Sequence, residues 1–404
     1  VTFGAVGTPV WFGLTPLEEK VQAAIAAHPD IAFQSMGEFF EVVGQWAVVF
    51  HLPMIYILPV FVLGFMTRLF GRNRSWKEGF SFFASTCFAV PYVLTAFLFG
   101  EEFPSLLGGL IGLGLTVFGA KRGWFLPDQV WSFPPQSEWE AEWTGEIQST
   151  DDCDFTAHMS QLKAWTPYVL IGLILVLTRM TFLPFKDWVT AFTIRIPDIL
   201  GYPTVDFEMT PLYLPGVIPF ILVAILTIFI HKMDAAKVKT AWVDSFQRMK
   251  KPTIALLFAV ALVEIFKQSA ENELGIPSMP LSMAGATAAV AGGSWPLFSS
   301  FVGALGSFIT GSNTVSDLLF AQFQWGMAAS LDLPHQIIVA LQTVGGAMGN
   351  LVCIHNIVAA SATVGLSGME GVIIKRNAIP LVLYGGVVGV MGLLFCYVFF
   401  PNVF

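Results

Sequence analysis

The sequence predicts an all-α, polytopic integral membrane protein, and three observations carry that prediction. Of its 404 residues, 55% are hydrophobic and only 12% are charged, whereas soluble domains carry roughly 25% charged residues. Mean hydropathy is +0.70 over the whole chain, so the apolar residues are not confined to one anchor. Apolar runs long enough to cross ~30 Å of hydrocarbon, which takes about 20 helical residues, recur from end to end.

The first spans are expected near Val42 to Met66, Phe80 to Phe99 and Pro104 to Ala120. Residues 1–122 are read as the C-terminal part of a first repeat with a Gly-rich break and membrane spans, 123–163 as an acidic hydrophilic loop, and 164–404 as a second repeat. Later spans are expected at Ala164 to Phe182, Leu212 to Ile230, Thr253 to Lys267, His335 to Gly365 and Ala378 to Phe400. Lys and Arg collect at Arg68 to Lys77, at Lys121 and Arg122, from Lys232 to Lys251, and at Lys375 and Arg376. These segments are assigned to the cytoplasmic side by their positive charge. The opposite side then holds Glu101 and Glu102, the stretch from Leu183 to Pro211, and Glu271 to Pro280.

With those sides assigned, residues 281–333 must return to the side they left, which a re-entrant helical hairpin satisfies. Gly285, Gly292, Gly293, Gly303 and Gly306 interrupt its apolar run ahead of Thr310, Gly311, Ser312, Asn313 and Thr314, and helix is expected again from Val315 to Ala329. Residues 335–365 read as a discontinuous helix. The loop carries eight acidic residues among Trp124, Trp131, Trp139 and Trp143, rings suited to the headgroup level. The net charge of −8 owes much to it, which argues against a basic groove for nucleic acid. Cys87, Cys153, Cys353 and Cys396 show no paired spacing, so neither a disulfide framework nor a metal site is expected. Since the chain opens on Val1 and Thr2, no signal peptide is read and its beginning is expected to be missing.

Irregular backbone at membrane depth survives only inside protein or beside a water-filled cavity, so polar breaks mark candidate sites. Gly311, Ser312, Asn313 and Thr314 supply hydroxyl and amide groups beside the free N–H groups of a helix start, where the helix dipole favours an anion. Thr314-Val315-Ser316-Asp317 also reads as a capping box. A shorter Gly-rich break, Phe3 to Pro9, contains Gly4, Gly7 and Thr8. Two such breaks in the two halves of a membrane chain point to a transporter with inverted repeats.

From His335 onward, Gln342, Asn350, His355, Asn356, Ser361 and Thr363 are read as lining a cavity, because facing lipid would be costly. Gln342, Asn350 and Asn356 are cargo-contact candidates. Asp317, His355 and Glu264 are proton-coupling candidates; Glu264 is also placed to pair with Lys267 on one helix face, and Arg179 to reach the interface.

Gly311 to Thr314, Ala340 to Gln342, Gly345 to Asn350, and Cys353 to Leu366 resemble the bacterial L-lactate permease family, and Phe3 to Pro9 looks like its first break. The resemblance covers essentially the full chain and is weakest from Gly123 to Pro211. It implies a proton-coupled symporter, multi-pass in the bilayer of the bacterial inner membrane, that takes up L-lactate, D-lactate and glycolate without a cofactor; a homodimer is one option for its assembly, which the sequence leaves open. The Ser312-Asn313-Thr314 tip also resembles the hairpin motif of elevator-type ion transporters, which implies binding roles for these residues. Family members are longer at the N-terminus, and their element matching Asn313-Thr314 would precede Val1. Strict inversion would put the Arg68 to Lys77 loop outside, against its positive charge. Sodium coupling stays open, as do a passive anion channel and a membrane-embedded enzyme with Mg²⁺ at Asp151, Asp152 and Asp154; no second acidic cluster or basic phosphate clamp accompanies those aspartates.

Overall fold

The computed structural model describes residues 13–14, 17–28, 33–69, 79–101, 103–126, 135, 139, 159–179, 183–201, 207–213, 218–363, 366 and 368–401. Helices dominate: α1 (Glu18–Ala26), α2 (Met36–Leu69), α3 (Gly79–Phe99), α4 (Pro104–Lys121), α5 (Gln161–Arg179), α6 (Phe185–Thr190), α7 (Ile218–Ile230) and α8 (Ala235–Lys267) come first. They are followed by α9 (Met279–Ala291), α10 (Trp295–Thr310), α11 (Asn313–Leu331), α12 (His335–Gly349), α13 (Ile354–Thr363) and α14 (Glu370–Leu394). A small ribbon, β1 (Ile194–Ile196) against β2 (Phe207–Met209), is antiparallel with Arg195 opposite Glu208. Among the described residues, seven helices or helix pairs are long and apolar enough to cross a membrane.

The chain divides into two compact units, residues 1–149 with 274–404, and residues 150–273. In the first, α12 is the hub: every residue from Gln336 to Gly349 is buried, and α2, α10, α11 and α14 pack around it. A helix enclosed on all sides needs neighbours at short range, and glycine provides it where α10 crosses α12. A Cβ on Gly345 would collide with the Ser300 carbonyl oxygen, and one on Gly303 with that of Gln342. Gly345→Ala therefore forces the two helices apart, and overpacking of this kind costs about 1–3 kcal/mol. The expected outcome is a lower thermal midpoint of the purified protein, with Gly371→Ala, where an added Cβ meets nothing within 4 Å, as the comparison.

Away from this core, Phe82, Leu94, Phe97 and Leu98 on α3 and Leu113 and Leu115 on α4 are exposed. Such apolar surface is costly in water and natural in lipid. In the second unit α5 packs against α6 and α7, and the His231 ring lies 2.9 Å from the Lys163 carbonyl oxygen.

Three expectations about the helices change. Leu212 to Ile230 was expected to span; among the described residues α7 covers 13 of these, about 20 Å of helix, Pro211 to Tyr213 form a turn, and 214–217 lie outside the described residues. The basic segment 232–251 and the apolar run behind it are one 33-residue helix, α8; a loop and a separate span are not what forms, since the helix passes through the change in polarity. The run ahead of Gly311 is two helices joined by a 3₁₀ turn at Gly292–Ser294. Together these occupy Met279–Thr310, 32 residues, long enough to cross.

Candidate functional site

Two breaks in the first unit meet. The first lies between α10 and α11, where Gly311 has φ +76°, a left-handed conformation that costs glycine no Cβ clash. Ser307 Oγ and Thr310 Oγ1 donate to the Ser312 carbonyl at 3.2 and 3.3 Å and fix the corner. Ser312 caps α11: its Oγ accepts from the Val315 N–H at 3.4 Å, and its carbonyl accepts from the Ser316 N–H at 3.0 Å. The second break, Asn350 to Cys353, separates α12 from α13. A Cβ on Gly311 would sit 3.2 Å from Cys353 Sγ and 3.6 Å from the His355 Cβ, so the corners touch.

Asn313 is the central side chain. Its Oδ1 is buried without a hydrogen-bond partner among the described residues and lies where a Cβ on Gly346 would be. Asn350, in turn, donates from Nδ2 to the Gly346 carbonyl at 3.3 Å, and its Oδ1 accepts from Asn356 Nδ2 at 2.9 Å. Side chains of both breaks thus lie against Gly346, Asn313 by close approach and Asn350 by a hydrogen bond. Among the described residues the N–H groups of Asn313 and Thr314 make no backbone hydrogen bond. They are the orphan donors of a 19-residue helix.

Behind this junction runs a buried polar chain. Gln324 Oε1 accepts from Trp295 Nε1 at 3.0 Å and from Ser299 Oγ at 2.9 Å, and Gln324 Nε2 donates to Gln342 Oε1 at 3.0 Å. Gln342 Nε2 then reaches Ser316 Oγ at 3.1 Å and Asp317 Oδ1 at 3.4 Å, while Thr343 Oγ1 donates to Asp317 Oδ2 at 3.2 Å. Asp317, Gln324 and Gln342 are all 0% exposed, and the one ion pair found among the described residues, Lys237 with Asp234, lies elsewhere. Asp317 is therefore held by neutral donors.

These positions revise several expectations. The α11 cap is Ser312 rather than Thr314, and Asp317 turns inward to Gln342 and Thr343 instead of closing a capping box. Gln342, expected to line a cavity, is instead enclosed by the packing of α10, α11 and α12. Asn356 and His355 are exposed on the first turn of α13, the ring Nδ1 of His355 standing 4.0 Å from Cys353 Sγ. Glu264 lies on α8, in the other unit, and the Lys267, Arg179 and Thr363 side chains lie outside the described residues. So do Gly4, Gly7, Thr8 and the aspartates at 151, 152 and 154. Beyond the N-terminal break, Gly13 packs on α11, where a Cβ would strike the Asp317 main-chain oxygen and the Ala321 side chain.

The partners Trp295, Ser299 and Gln324 were not singled out from the sequence. Nor were His51 on α2 and Tyr384 on α14, both 0% exposed and joined through the ring Nδ1 and the phenol oxygen. Their signal was a histidine and a glutamine within apolar runs, residue types that carry no formal charge.

Seven membrane-length apolar elements among the described residues, with two half-buried polar breaks meeting in the first unit, define a polytopic membrane protein built to handle a small polar solute. The family model described as L-lactate permease matches residues 1–399. The putative L-lactate permease of Haemophilus influenzae is 32% identical over 422 residues, covering 100% of this chain and 71% of the relative. The glycolate permease and the L-lactate permease of Escherichia coli strain K12 are each 25% identical, over 96% of this chain and 73% and 72% of their own lengths. No solved structure matches the chain. The chain belongs to the L-lactate permease family, and is thus a multi-pass bacterial inner-membrane transport protein and not an enzyme.

Proposed function

We propose that this chain carries lactate and related 2-hydroxy monocarboxylates, D-lactate and glycolate among them, across the membrane together with a proton. The observation that carries this reading is the junction of the two breaks, where the N–H groups at the start of α11 and the Asn313 amide converge. The carboxylate takes the N–H groups of Asn313 and Thr314 with the side chains of Ser312, Asn313 and Thr314, and Gly311 supplies the turn. Asn350 and Asn356 form the facing wall. Gln342 holds Asp317 in place and touches no cargo. Asp317, one helical turn on, carries the proton; His355 and Glu264 are the alternative carriers.

Supporting this assignment are the relatives named for lactate and for glycolate. In the same reading Gly4, Gly7 and Thr8 complete the site from a first inverted repeat, for which the packing of Gly13 on α11 is support. One body then moves across the membrane in elevator fashion, in a homodimer. The buried acceptor Asn313 Oδ1 favours a second reading in which Na⁺ is the coupling ion, since hard cations take oxygen ligands.

At neutral pH a hydroxy acid is an anion, so symport with one proton moves no net charge, and a one-unit pH difference supports about tenfold accumulation. Reconstituted vesicles that are more acid outside should accumulate labelled lactate to about that limit, independently of an imposed voltage. Uptake that ignores the pH difference and follows voltage alone would indicate a channel, and a strict need for a sodium gradient would select the second reading.

A further inference from the structure

We propose that Ser361 and Asn377 form a hydroxyl-binding subsite that distinguishes 2-hydroxy acids from plain carboxylic acids, a proposal that rests on the junction being the cargo site. Beside the second break opens a cleft of about 450 Å³, lined by Asn350, by Asn356, Ile357 and Ser361 on α13 and by Ile373 and Asn377 on α14. Ser361 is 1% exposed, and its Oγ has no hydrogen-bond partner among the described residues. A helical serine ordinarily returns its hydroxyl to a carbonyl one turn back. Here that bond is not made, and Ser361 is one of the residues that line the cleft.

The remaining polar groups decide what the cleft accepts. Asn377 donates from Nδ2 to the Leu351 carbonyl at 2.8 Å and Asn356 from Nδ2 to Asn350 Oδ1 at 2.9 Å. Both therefore keep their Oδ1 as acceptors. Two amide oxygens and one hydroxyl suit a group that donates one hydrogen bond and accepts another, which describes an alcohol. A carboxylate, with acceptors alone, finds its donors at Ser312 to Thr314 instead. Apolar Ile357 and Ile373 leave room for the small alkyl part. A site that pairs with a substrate hydroxyl rejects the analogue lacking it, because its own buried polar groups are then left unpaired.

The test is binding to the purified full chain, read as ligand-induced thermal stabilisation with L-lactate and with propionate, its counterpart without the hydroxyl. The wild type should prefer lactate. In Ser361→Ala the lactate-to-propionate affinity ratio should fall about 3- to 10-fold with propionate affinity unchanged; Ser361→Cys, which keeps the volume but offers only a weak donor, should fall between. A ratio that stays at the wild-type value in either folded variant overturns the proposal, as does an equal loss of both ligands. Asn313→Ala separates the two claims: it should weaken both acids alike, and if it weakens neither while Ser361→Ala shifts the ratio, the hydroxyl subsite stands and the carboxylate site does not.

Discussion

Replacing Asn313 with alanine should reduce lactate uptake about 10- to 150-fold while leaving the protein folded. The magnitude is that of one hydrogen bond to a charged group, about 1.5–3 kcal/mol. Folding should be spared because Asn313 makes no side-chain hydrogen bond among the described residues, so truncation leaves no protein partner stranded. The α11 cap is also independent of it, since Ser312 supplies that bond. Uptake per molecule, normalised to the amount in the membrane, is the measurement that checks this. Unchanged uptake by a folded Asn313→Ala protein would remove the carboxylate site from α11 altogether.

Asn313 was legible in the sequence for a physical reason. A glycine followed by three short polar residues, set within an apolar run, is what a chain must contain to leave a helix, satisfy the freed peptide groups and start another. Packing partners are not legible in that way. Gln324 and Ser299 sit in apolar helices with nothing local to distinguish a structural amide from a cargo ligand, and their roles appear only once α10, α11 and α12 close on one another. Gln342 was assigned to the cargo on the same grounds and is enclosed instead. The spans show the same division. Uniform apolar runs such as α3 and α4 lie at their expected positions, but α8 changes polarity along its length, and a hydropathy pattern cannot say that a helix continues through the change. His51 was passed over because a neutral imidazole raises no charge signal, although Tyr384 meets it only across 333 residues of chain.

Replacing Asp317 with asparagine should separate cargo binding from energy coupling. A carboxyl that takes up and releases a proton in each cycle has no substitute in an amide, so accumulation driven by a pH difference should fall to the level of vesicles without protein. Exchange of internal for external lactate requires no net proton movement in a symporter that stays loaded, and should continue within a few-fold of wild type. The local structure permits this variant. Asparagine keeps an acceptor for Gln342 Nε2, now 3.4 Å from Oδ1, and the Thr343 hydroxyl, now donating to Oδ2 at 3.2 Å, can turn to accept from an amide, since a hydroxyl serves in either role. Loss of exchange together with accumulation would make Asp317 a structural member of the polar chain from Trp295 to Thr343. Retention of both would move the proton to His355 or Glu264, or replace it with Na⁺ at Asn313. Because exchange and accumulation are measured on the same vesicles, the comparison does not depend on how much protein was reconstituted.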